Sequence, residues 1–439
     1  MTRSYFKMKI QLIHPPHPVA CDDRLDPPLG LLYLAGTIRG TGHEVEVIDL
    51  SGYPRQDWQI GQADIYGITC YIPTLAISAD IARLCKAINP EAKIIGGGAG
   101  LSHLYQNGCA NYIPKEFDSI IIGPGEEAIL DLFEDWPDIA KIYNRPLLGS
   151  LDHYESPTYD LVDLSTYSRK IGGEYCIPIL TARGCPFQCA FCTTDITVHA
   201  YSPGRIATEI GAIIDKYDIR AFNFEDDTFM LNKGRIQRLL NLIRPLGIKF
   251  RCHGRAGLDQ REDYDLLKKA GCSQICWGIE SGSQTILDRM RKGVSVEENK
   301  QVIQWAKDAG LLDRIFLILG FPGETRETIA ETRDFIEETN PSQIFVSSFQ
   351  PYPGTDVWKH PQKYGITKIY TDFTKYLQTF GDGTIGISNI DTLWMRHEEM
   401  EDAEYEFRAW VKKRPMRGFM QDYERRFQVE KSLELQSGN

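Results

Sequence analysis

The chain has 439 residues, 42% hydrophobic and 25% charged. That is average globular usage at a length suited to about two or three domains, and it excludes a disulfide-stapled miniprotein, a mostly disordered chain and a coiled coil. Lys plus Arg number 49 against 60 Asp plus Glu, a net charge of -11, which argues against nucleic acid as a partner because gripping a phosphate backbone needs a basic surface. The longest apolar stretches, such as Ile315–Leu319, fall far short of the roughly 18 residues that span a membrane. The opening Lys7–His14 segment is too short and polar for a signal-peptide core. A cytoplasmic protein with no membrane partner is expected.

From residue 8 short β-branched runs alternate with helical stretches. Strands are predicted at Lys9–Ile13, Glu44–Asp49, Ile65–Thr69, Lys93–Gly97 and Ser119–Gly123, with helices at Leu29–Arg39, Thr74–Asn89 and Glu126–Asp135. Parallel strands need crossover connections, so this alternation predicts an α/β, doubly wound, flavodoxin-like or Rossmann-like domain over residues 1–145. Ligands on such sheets sit at the carboxyl ends of the strands. Three loops there contain candidate residues: Thr69-Cys-Tyr-Ile-Pro-Thr74, Gly96-Gly-Gly-Ala-Gly100 and Gly123-Pro-Gly-Glu-Glu127. Their glycines suit either close approach of a large ligand or plain tight turns. A dinucleotide fingerprint is absent, since the first strand leads into His14-Pro-Pro-His-Pro18. Residues 146–170, polar and containing Pro, read as a linker.

The eleven cysteines are an odd number, which argues against a disulfide framework. Cys21, Cys70, Cys85, Cys109, Cys176, Cys252, Cys272 and Cys276 read as small buried hydrophobes. Cys185, Cys189 and Cys192 differ. They follow the predicted strand Tyr175–Leu180 within eight residues, and soft thiolates so placed suit zinc or iron-sulfur chemistry. Structural zinc wants a fourth ligand, for which His199 is the one nearby substitute. Further strands are predicted at Ala221–Phe224, Ile248–Cys252, Gln274–Gly278, Ile315–Leu319 and Gln343–Ser348. The helices between them are at Pro203–Tyr217, Lys233–Leu246, Asp263–Ala270, Val296–Ala309 and Arg326–Thr339. That makes six β/α units over residues 171–385, a partial (β/α)6 TIM-type barrel whose site belongs on the loops at the carboxyl ends of the strands. A helical C-terminal extension, 386–439, runs from Trp394-Met-Arg-His-Glu-Glu-Met400 through Phe407, Trp410 and Phe419 to Phe427, with a basic run at Lys412–Arg417 and a frayed end at Leu433–Asn439.

Cys185-x-x-x-Cys189-x-Phe191-Cys192 resembles the signature of the radical S-adenosylmethionine enzymes. The resemblance implies that the three cysteines hold a 4Fe-4S cluster whose open iron takes S-adenosylmethionine, and that Phe191 packs near the adenine. Three later segments match in order. Glu225-Asp-Asp-Thr-Phe229 offers Asp226 and Asp227 for the amino group, although both also suit helix capping. Gly278-Ile-Glu280-Ser-Gly-Ser283 offers Glu280 and Ser281 for the ribose or carboxylate, and Leu319-Gly-Phe-Pro-Gly-Glu324 offers the backbone of Leu319 and Gly320 for the adenine. Pro351-Tyr-Pro-Gly-Thr355 follows the sixth strand. Arg255 faces either the cavity or a surface salt bridge.

Fused behind a flavodoxin-like domain with Pro27-Pro-Leu-Gly30 and Gly123-Pro-Gly-Glu-Glu127, such a barrel resembles the cobalamin-binding members of that family, the class B methyltransferase-like enzymes. On this resemblance Thr69, Thr74, Gly97, Gly98 and Glu126 are the cobalamin candidates. No Asp-x-His is present, as fits cobalamin without a protein histidine ligand or a domain that has lost it. The implied function is methyl transfer to an unactivated carbon through a 5'-deoxyadenosyl radical and methylcobalamin, with an electron donor such as flavodoxin or ferredoxin and a small-molecule or peptide substrate. The alternative is radical rearrangement, cyclisation or oxidation without methyl transfer. A methylthiotransferase ranks lower because the first-domain cysteines lack its motif contexts, and a metal-stabilised binding protein ranks lower still. No residue stands out as a substrate acid or base.

Overall fold

The computed structural model describes residues 7–18, 23–376 and 388–415. Cys21, the expected boundary at 385 and the tail positions from Met416 onward, including Arg417, Phe419, Phe427 and Leu433–Asn439, lie outside the described residues. The chain divides into two compact units. The first runs to Ser168 and takes in Tyr352–Gly354 and Asp372–Tyr376.

In the first unit β1 (Lys9–His14), β2 (Glu44–Asp49), β3 (Ile65–Thr69), β4 (Lys93–Gly97), β5 (Ser119–Ile122) and β6 (Ile142–Asn144) form one parallel sheet in the order β2-β1-β3-β4-β5-β6. Helices α1 (Leu29–Gly40), α2 (Leu75–Ile88), α3 (Ala99–Gln106) and α4 (Gly125–Glu134) make crossovers. The order reverses between β1 and β3, and that switch point is where doubly wound sheets open a crevice. Ile10, Leu12, Ile13, Ile65, Tyr66, Ile68, Ile94, Ile95 and Ile122 are buried, so the central strands are covered on both faces. Sequence patterning missed α3, whose start lies inside the glycine run, and β6, which has three residues. The stretch after β6 packs down closely: Leu147, Leu151, Tyr154, Tyr159 and Tyr167 are buried, and Thr158 N donates to Leu32 O of α1 at 3.1 Å. Gly36 makes this approach possible, because a Cβ there would stand 2.8 Å from Ser156 O.

In the second unit β7 (Lys170–Ile171) pairs antiparallel with β8 (Glu174–Ile179), and β9 (Ala182–Arg183) with β10 (His199–Ala200). Then β11 (Ala221–Phe224), β12 (Lys249–Gly254), β13 (Cys272–Glu280), β14 (Leu312–Leu319) and β15 (Gln343–Ser348) extend the sheet from β8 in parallel. The order β15-β14-β13-β12-β11-β8-β7 does not close on itself, so the barrel is the open six-strand form expected from the sequence. Helices α5 (Pro203–Tyr217), α6 (Lys233–Ile243), α7 (Arg261–Lys269), α8 (Gln284–Arg289), α9 (Val296–Asp308) and α10 (Arg326–Thr339) lie between strands. After them come α11 (Asp356–Lys359), β16 (Ile366–Ile369), β17 (Ile390–Thr392) and α12 (His397–Lys412). Several helices start on side-chain caps, as where Ser202 Oγ accepts from Arg205 N in α5, each worth about 1 kcal/mol. On β14 residues alternate between half-buried and buried: the buried set faces the helices and the other set faces the barrel lumen.

Candidate functional site

The three cysteines sit on a long loop whose two ends are clamped by the β9–β10 pairing. Gly184 turns the chain into the loop at φ +90°, where a Cβ would stand 2.1 Å from Thr197 O, so no other residue fits. Within the loop Ala190 is wholly buried among Ile286, Met290, Phe321, Phe349 and Val357. Its N donates to Met290 O at 2.8 Å and its O accepts from Val357 N at 3.2 Å. This apolar anchor leaves Cys185 and Cys189 half-buried and Cys192 exposed, whereas the other seven described cysteines are buried. Burial pushes Cys70 and Cys85 up to about 12, which keeps those thiols protonated and poor as ligands.

Each loop thiol has a polar neighbour. Cys185 Sγ lies 3.4 Å from Thr228 Oγ1, Cys192 Sγ accepts from Thr194 N at 3.4 Å, and Arg255 Nη1 reaches Cys189 Sγ at 3.6 Å. Arg255 is buried, stacks at 3.7 Å over the Phe187 ring and donates to Lys292 O. Among the described residues Arg255 has no carboxylate partner, so the surface salt bridge considered for it is not found there. Lys292 pairs with Glu280 at 2.8 Å, both side chains 9% exposed, and its Nζ stands 5.9 Å over the Phe191 ring. Glu280 holds φ +68° beside a register shift between β13 and β14, a local strain of about 1–3 kcal/mol of the kind that recurs at binding sites. Cys189, Arg255, Lys292, Glu280 and Phe191 thus form one connected constellation. Lys292 escaped sequence reasoning because it lies in the connection after α8, outside every motif.

Other sequence candidates have different work. Asp226 turns inward, accepts from Thr181 N at 2.6 Å and from Thr181 Oγ1, and is pushed up to about 6 by burial. It anchors the end of β8 rather than capping a helix, and it borders a cavity lined also by Gly184, Thr228 and Arg235. Asp227 is exposed and joins both sides of the cysteine loop, accepting from Gly184 N at 3.1 Å and Thr194 Oγ1 at 3.3 Å. Ser281 is 1% exposed and accepts from Ser283 N at 3.1 Å, with its hydroxyl 3.2 Å from Thr332 Oγ1. It belongs to the packing of α8 on α10 and has no free contact for a ribose. The Leu319 side chain is buried and its O accepts from Phe349 N at 2.7 Å, while the period of two puts the Ile318 side chain on the lumen face. Gly320 at φ +80° has both backbone groups engaged, its N donating to Glu324 Oε2 and its O accepting from Ser388 Oγ at 3.1 Å. The same alternation assigns Glu225, next to the two aspartates, to the lumen side with Asn223, which donates to it.

In the first unit the ends of β1, β3 and β4 meet at the switch point. Thr69 lies in register with Gly97. An added Cβ at Gly97 would meet nothing within 4 Å, whereas at Gly98, φ +97°, it would stand 2.8 Å from Thr69 Oγ1, and at Gly100 2.7 Å from Tyr71 C. Gly97 therefore faces open space, while Gly98 and Gly100 are squeezed under the β3 loop. Thr74 is buried in that loop's own turn, its Oγ1 accepting from Tyr71 N at 2.9 Å, and Glu126 is 5% exposed in the first turn of α4. Neither presents a side chain at the open edge. His14, closing β1, meets the Tyr71 ring edge-on at 6.2 Å, and burial lowers its pKa so that it is neutral at pH 7.

Two family profiles match the chain: the radical SAM superfamily over residues 179–336 and the B12 binding domain over residues 19–133. The chain belongs to the cobalamin-binding radical S-adenosylmethionine enzymes. An uncharacterized methyltransferase of Pyrococcus horikoshii is 29% identical to it over 388 residues, covering 80% of this chain and 83% of that protein. An anaerobic magnesium-protoporphyrin IX monomethyl ester cyclase of Rubrivivax gelatinosus is 26% identical over 389 residues, covering 80% and 68%. The methyltransferase TsrM of Kitasatospora setae, solved with cobalamin and a 4Fe-4S cluster bound, is similar in fold at a TM-score of 0.63 and 19% identity, covering 82% of this chain and 76% of that one.

Enzymes of this family work with a 4Fe-4S cluster, S-adenosylmethionine and cobalamin, and the residues present fit all three. The cluster fits three accessible thiols on an anchored loop. Among the described residues no three His, Cys, Asp or Glu side chains converge at single-ion distance, so the zinc knuckle through His199, which pairs with Arg183 in β10, is not assembled. S-adenosylmethionine, with its amino and carboxylate groups, fits the charged Arg255–Lys292–Glu280 constellation. Cobalamin, broad and flat, fits a strand-end edge where Gly97 leaves the backbone uncovered. No helix among the described residues is long and apolar enough to cross a membrane.

Proposed function

We propose that this enzyme transfers a methyl group to an unactivated carbon of its substrate, using cobalamin and S-adenosylmethionine. The observation that supports it best is the union, in one chain, of the Gly184-anchored cysteine loop beside Arg255–Lys292–Glu280 with a switch-point sheet whose β4 ends on the uncovered Gly97. When bound, the three groups supply one-electron reduction, homolysis of a sulfonium and carriage of a methyl group. The chain's own part is positional. Cys185, Cys189 and Cys192 bind the cluster, Arg255 holds the Cys189 sulfur and the loop's Phe187, and Lys292 pairs with Glu280 and orients it beside Phe191. Asp227 ties the loop's two sides together and Glu225 offers a second acceptor for an amino group. Thr69 and Gly97 border the cobalamin site, with Gly98, Thr74 and Glu126 supporting its loops from inside.

We place the domain limits near 145 and 170, and the enzyme in the cytoplasm with a flavodoxin or ferredoxin as electron donor and a small molecule or peptide as substrate. Those points rest on the family resemblance and the acidic, globular composition. The relative from Rubrivivax gelatinosus, named a cyclase, favours one second reading, radical ring closure or oxidation without methyl transfer. Protein purified without oxygen from cells supplied with cobalamin, assayed for iron, cobalt and S-adenosylmethionine cleavage, tests the cofactors. Methyl-deuterated S-adenosylmethionine tests the transfer: label in the acceptor supports it, and a labelled methyl recovered nowhere in the product favours the second reading.

A further inference from the structure

We propose that the barrel lumen of the second unit holds an oxyanion site, for a phosphate or carboxylate group, built on Arg251 and Arg314. Arg314 stands on the half-buried lumen face of β14, in register with Cys276 of β13 and Gln343 of β15. Cys276 is in register with His253 of β12, and Arg251 of β12 with Gln274 of β13 and Asn223 of β11. Two adjoining layers of the lumen wall therefore carry two guanidinium groups and an imidazole. Each arginine spends only its Nε on the wall: Arg251 donates to Asn223 Oδ1 and Arg314 to Gln343 Oε1, both at 2.8 Å. Arg251 is 6% exposed. Among the described residues neither guanidinium has a carboxylate partner, and Glu225, the acid closest along this chain of contacts, takes the far side of Asn223.

Buried charges without counterions are costly, and cores normally pair them. The surroundings register the excess of positive charge. Arg314 is pushed down to about 10 by burial, which the charge of Cys276 opposes and those of Arg251 and Arg169 reinforce. The Cys276 thiol, which burial alone would raise, is pulled below its ordinary value by a hydrogen bond from His253 and by both arginines. One thiolate could not balance two guanidinium groups, each of which still has its Nη donors to offer. Their planar fork suits a phosphate or carboxylate, which accepts two parallel hydrogen bonds. Four residues along β13 separate Cys276 from Glu280, ~13 Å at strand rise. A substrate anchored by its anionic group at Arg314 thus reaches the level of Glu280 with its other end. That role rests on the function proposed above, whereas the anion site itself does not.

The test is titration calorimetry of the full chain, cluster intact, with inorganic phosphate against chloride at equal ionic strength. One phosphate per chain is expected, bound about tenfold or more weakly by Arg251→Gln and Arg314→Gln, the loss of a charge-assisted hydrogen bond. In phosphate-free buffer Arg314→Met should raise the Tm by relieving repulsion, and phosphate should then raise the wild-type Tm but not the variant's. Absence of phosphate binding, equal binding by wild type and both variants, or an Arg314→Met loss of Tm that phosphate leaves unchanged overturns the proposal. S-adenosylmethionine cleavage, measured on the same preparations, reports separately on the enzyme's function: a chain that binds phosphate and cleaves nothing contradicts that reading and leaves the anion site standing. With an acceptor in hand, phosphate that raises its KM without changing kcat identifies the acceptor's own anionic group, and an unchanged KM identifies a free anion in the same site.

Discussion

The cysteine loop of the second unit and the strand-end loops of the first are both built to hold a cofactor, and they do it with different parts of the residue. The cysteine loop works through side chains: three thiols, Arg255, Lys292 and Glu280, each with a charge or a soft atom and a defined partner. The first unit's edge works through the lack of them, since Gly97 leaves the backbone open while Gly98 and Gly100 let β3's loop lie close. Chemistry carried by side chains is specific in spacing and tolerates no replacement. Shape carried by backbone leaves a weaker trace and tolerates any change that keeps the space.

The sharpest way to break this comparison is to remove the thiols. Replacing Cys185, Cys189 and Cys192 together by Ala should abolish iron binding and S-adenosylmethionine cleavage while cobalt binding persists. Cleavage at the wild-type rate would sink the cluster assignment, and loss of cobalt together with iron would show that the two regions are not separable. Next in size is Lys292→Met, which leaves Glu280 buried and uncompensated. A loss of about 3 kcal/mol in stability is expected, because breaking a buried pair strands a charge. The double variant with Glu280→Gln should recover most of it, and a double variant as unstable as the single one would mean that packing, and not charge, is at stake.

How far each region was legible follows from the same difference. The Cys-x-x-x-Cys-x-Phe-Cys spacing and the period-two strands identified the cluster loop and the open barrel, because one is a covalent pattern and the other a burial pattern that tertiary contacts reinforce. The strands β1 to β5 of the first sheet were legible for the same reason, whereas their order came only with the structure. Lys292 was not legible, since it meets Glu280 only through the turn after α8, and motif membership does not say which way a side chain such as that of Ser281 points. Parity does: on β14 it puts the Ile318 side chain on the lumen face and the Leu319 side chain on the other. The polar stretch after β6 read as a linker because its Tyr and Leu residues follow no helical or strand period, although they are buried.

Two glycines two residues beyond Gly98 and one before it sharpen the backbone side of the comparison: Gly100→Ala, which would press a Cβ to 2.7 Å from Tyr71 C, should cost about 2 kcal/mol. Gly97→Val, whose Cβ meets nothing within 4 Å, should leave the Tm unchanged and lower cobalt content instead. Equal Tm losses in both would mean that Gly97 is a structural glycine and not a cofactor surface.

The smallest effect belongs to a pair of buried acids beside Gly320. Burial pushes Glu324 up to about 8 and Glu404 of α12 up to about 7, and the charge of Glu404 raises Glu324 further. Glu404 accepts from Ser348 Oγ and from Arg408 at 3.4 Å, and Glu324 accepts from Gly320 N. A carboxyl whose folded pKa is raised keeps its proton in the native state after the unfolded chain has lost its own near 4.5. Its contribution is therefore fully present below about pH 4.5 and is lost as pH rises through 7 and 8. The slope follows the excess of native protons, so from pH 7 to 8 the second unit should lose about 1 kcal/mol. Glu404→Gln keeps the shape, removes one acid and frees Glu324 from a neighbouring charge, so the loss over that interval should shrink to well under 1 kcal/mol. Denaturant unfolding followed by a probe in the second unit at pH 7 and pH 8 reads both. An unchanged slope in the variant would mean that Glu404 neither titrates between pH 7 and 8 nor raises Glu324, and that the pH dependence comes from Glu324's own burial.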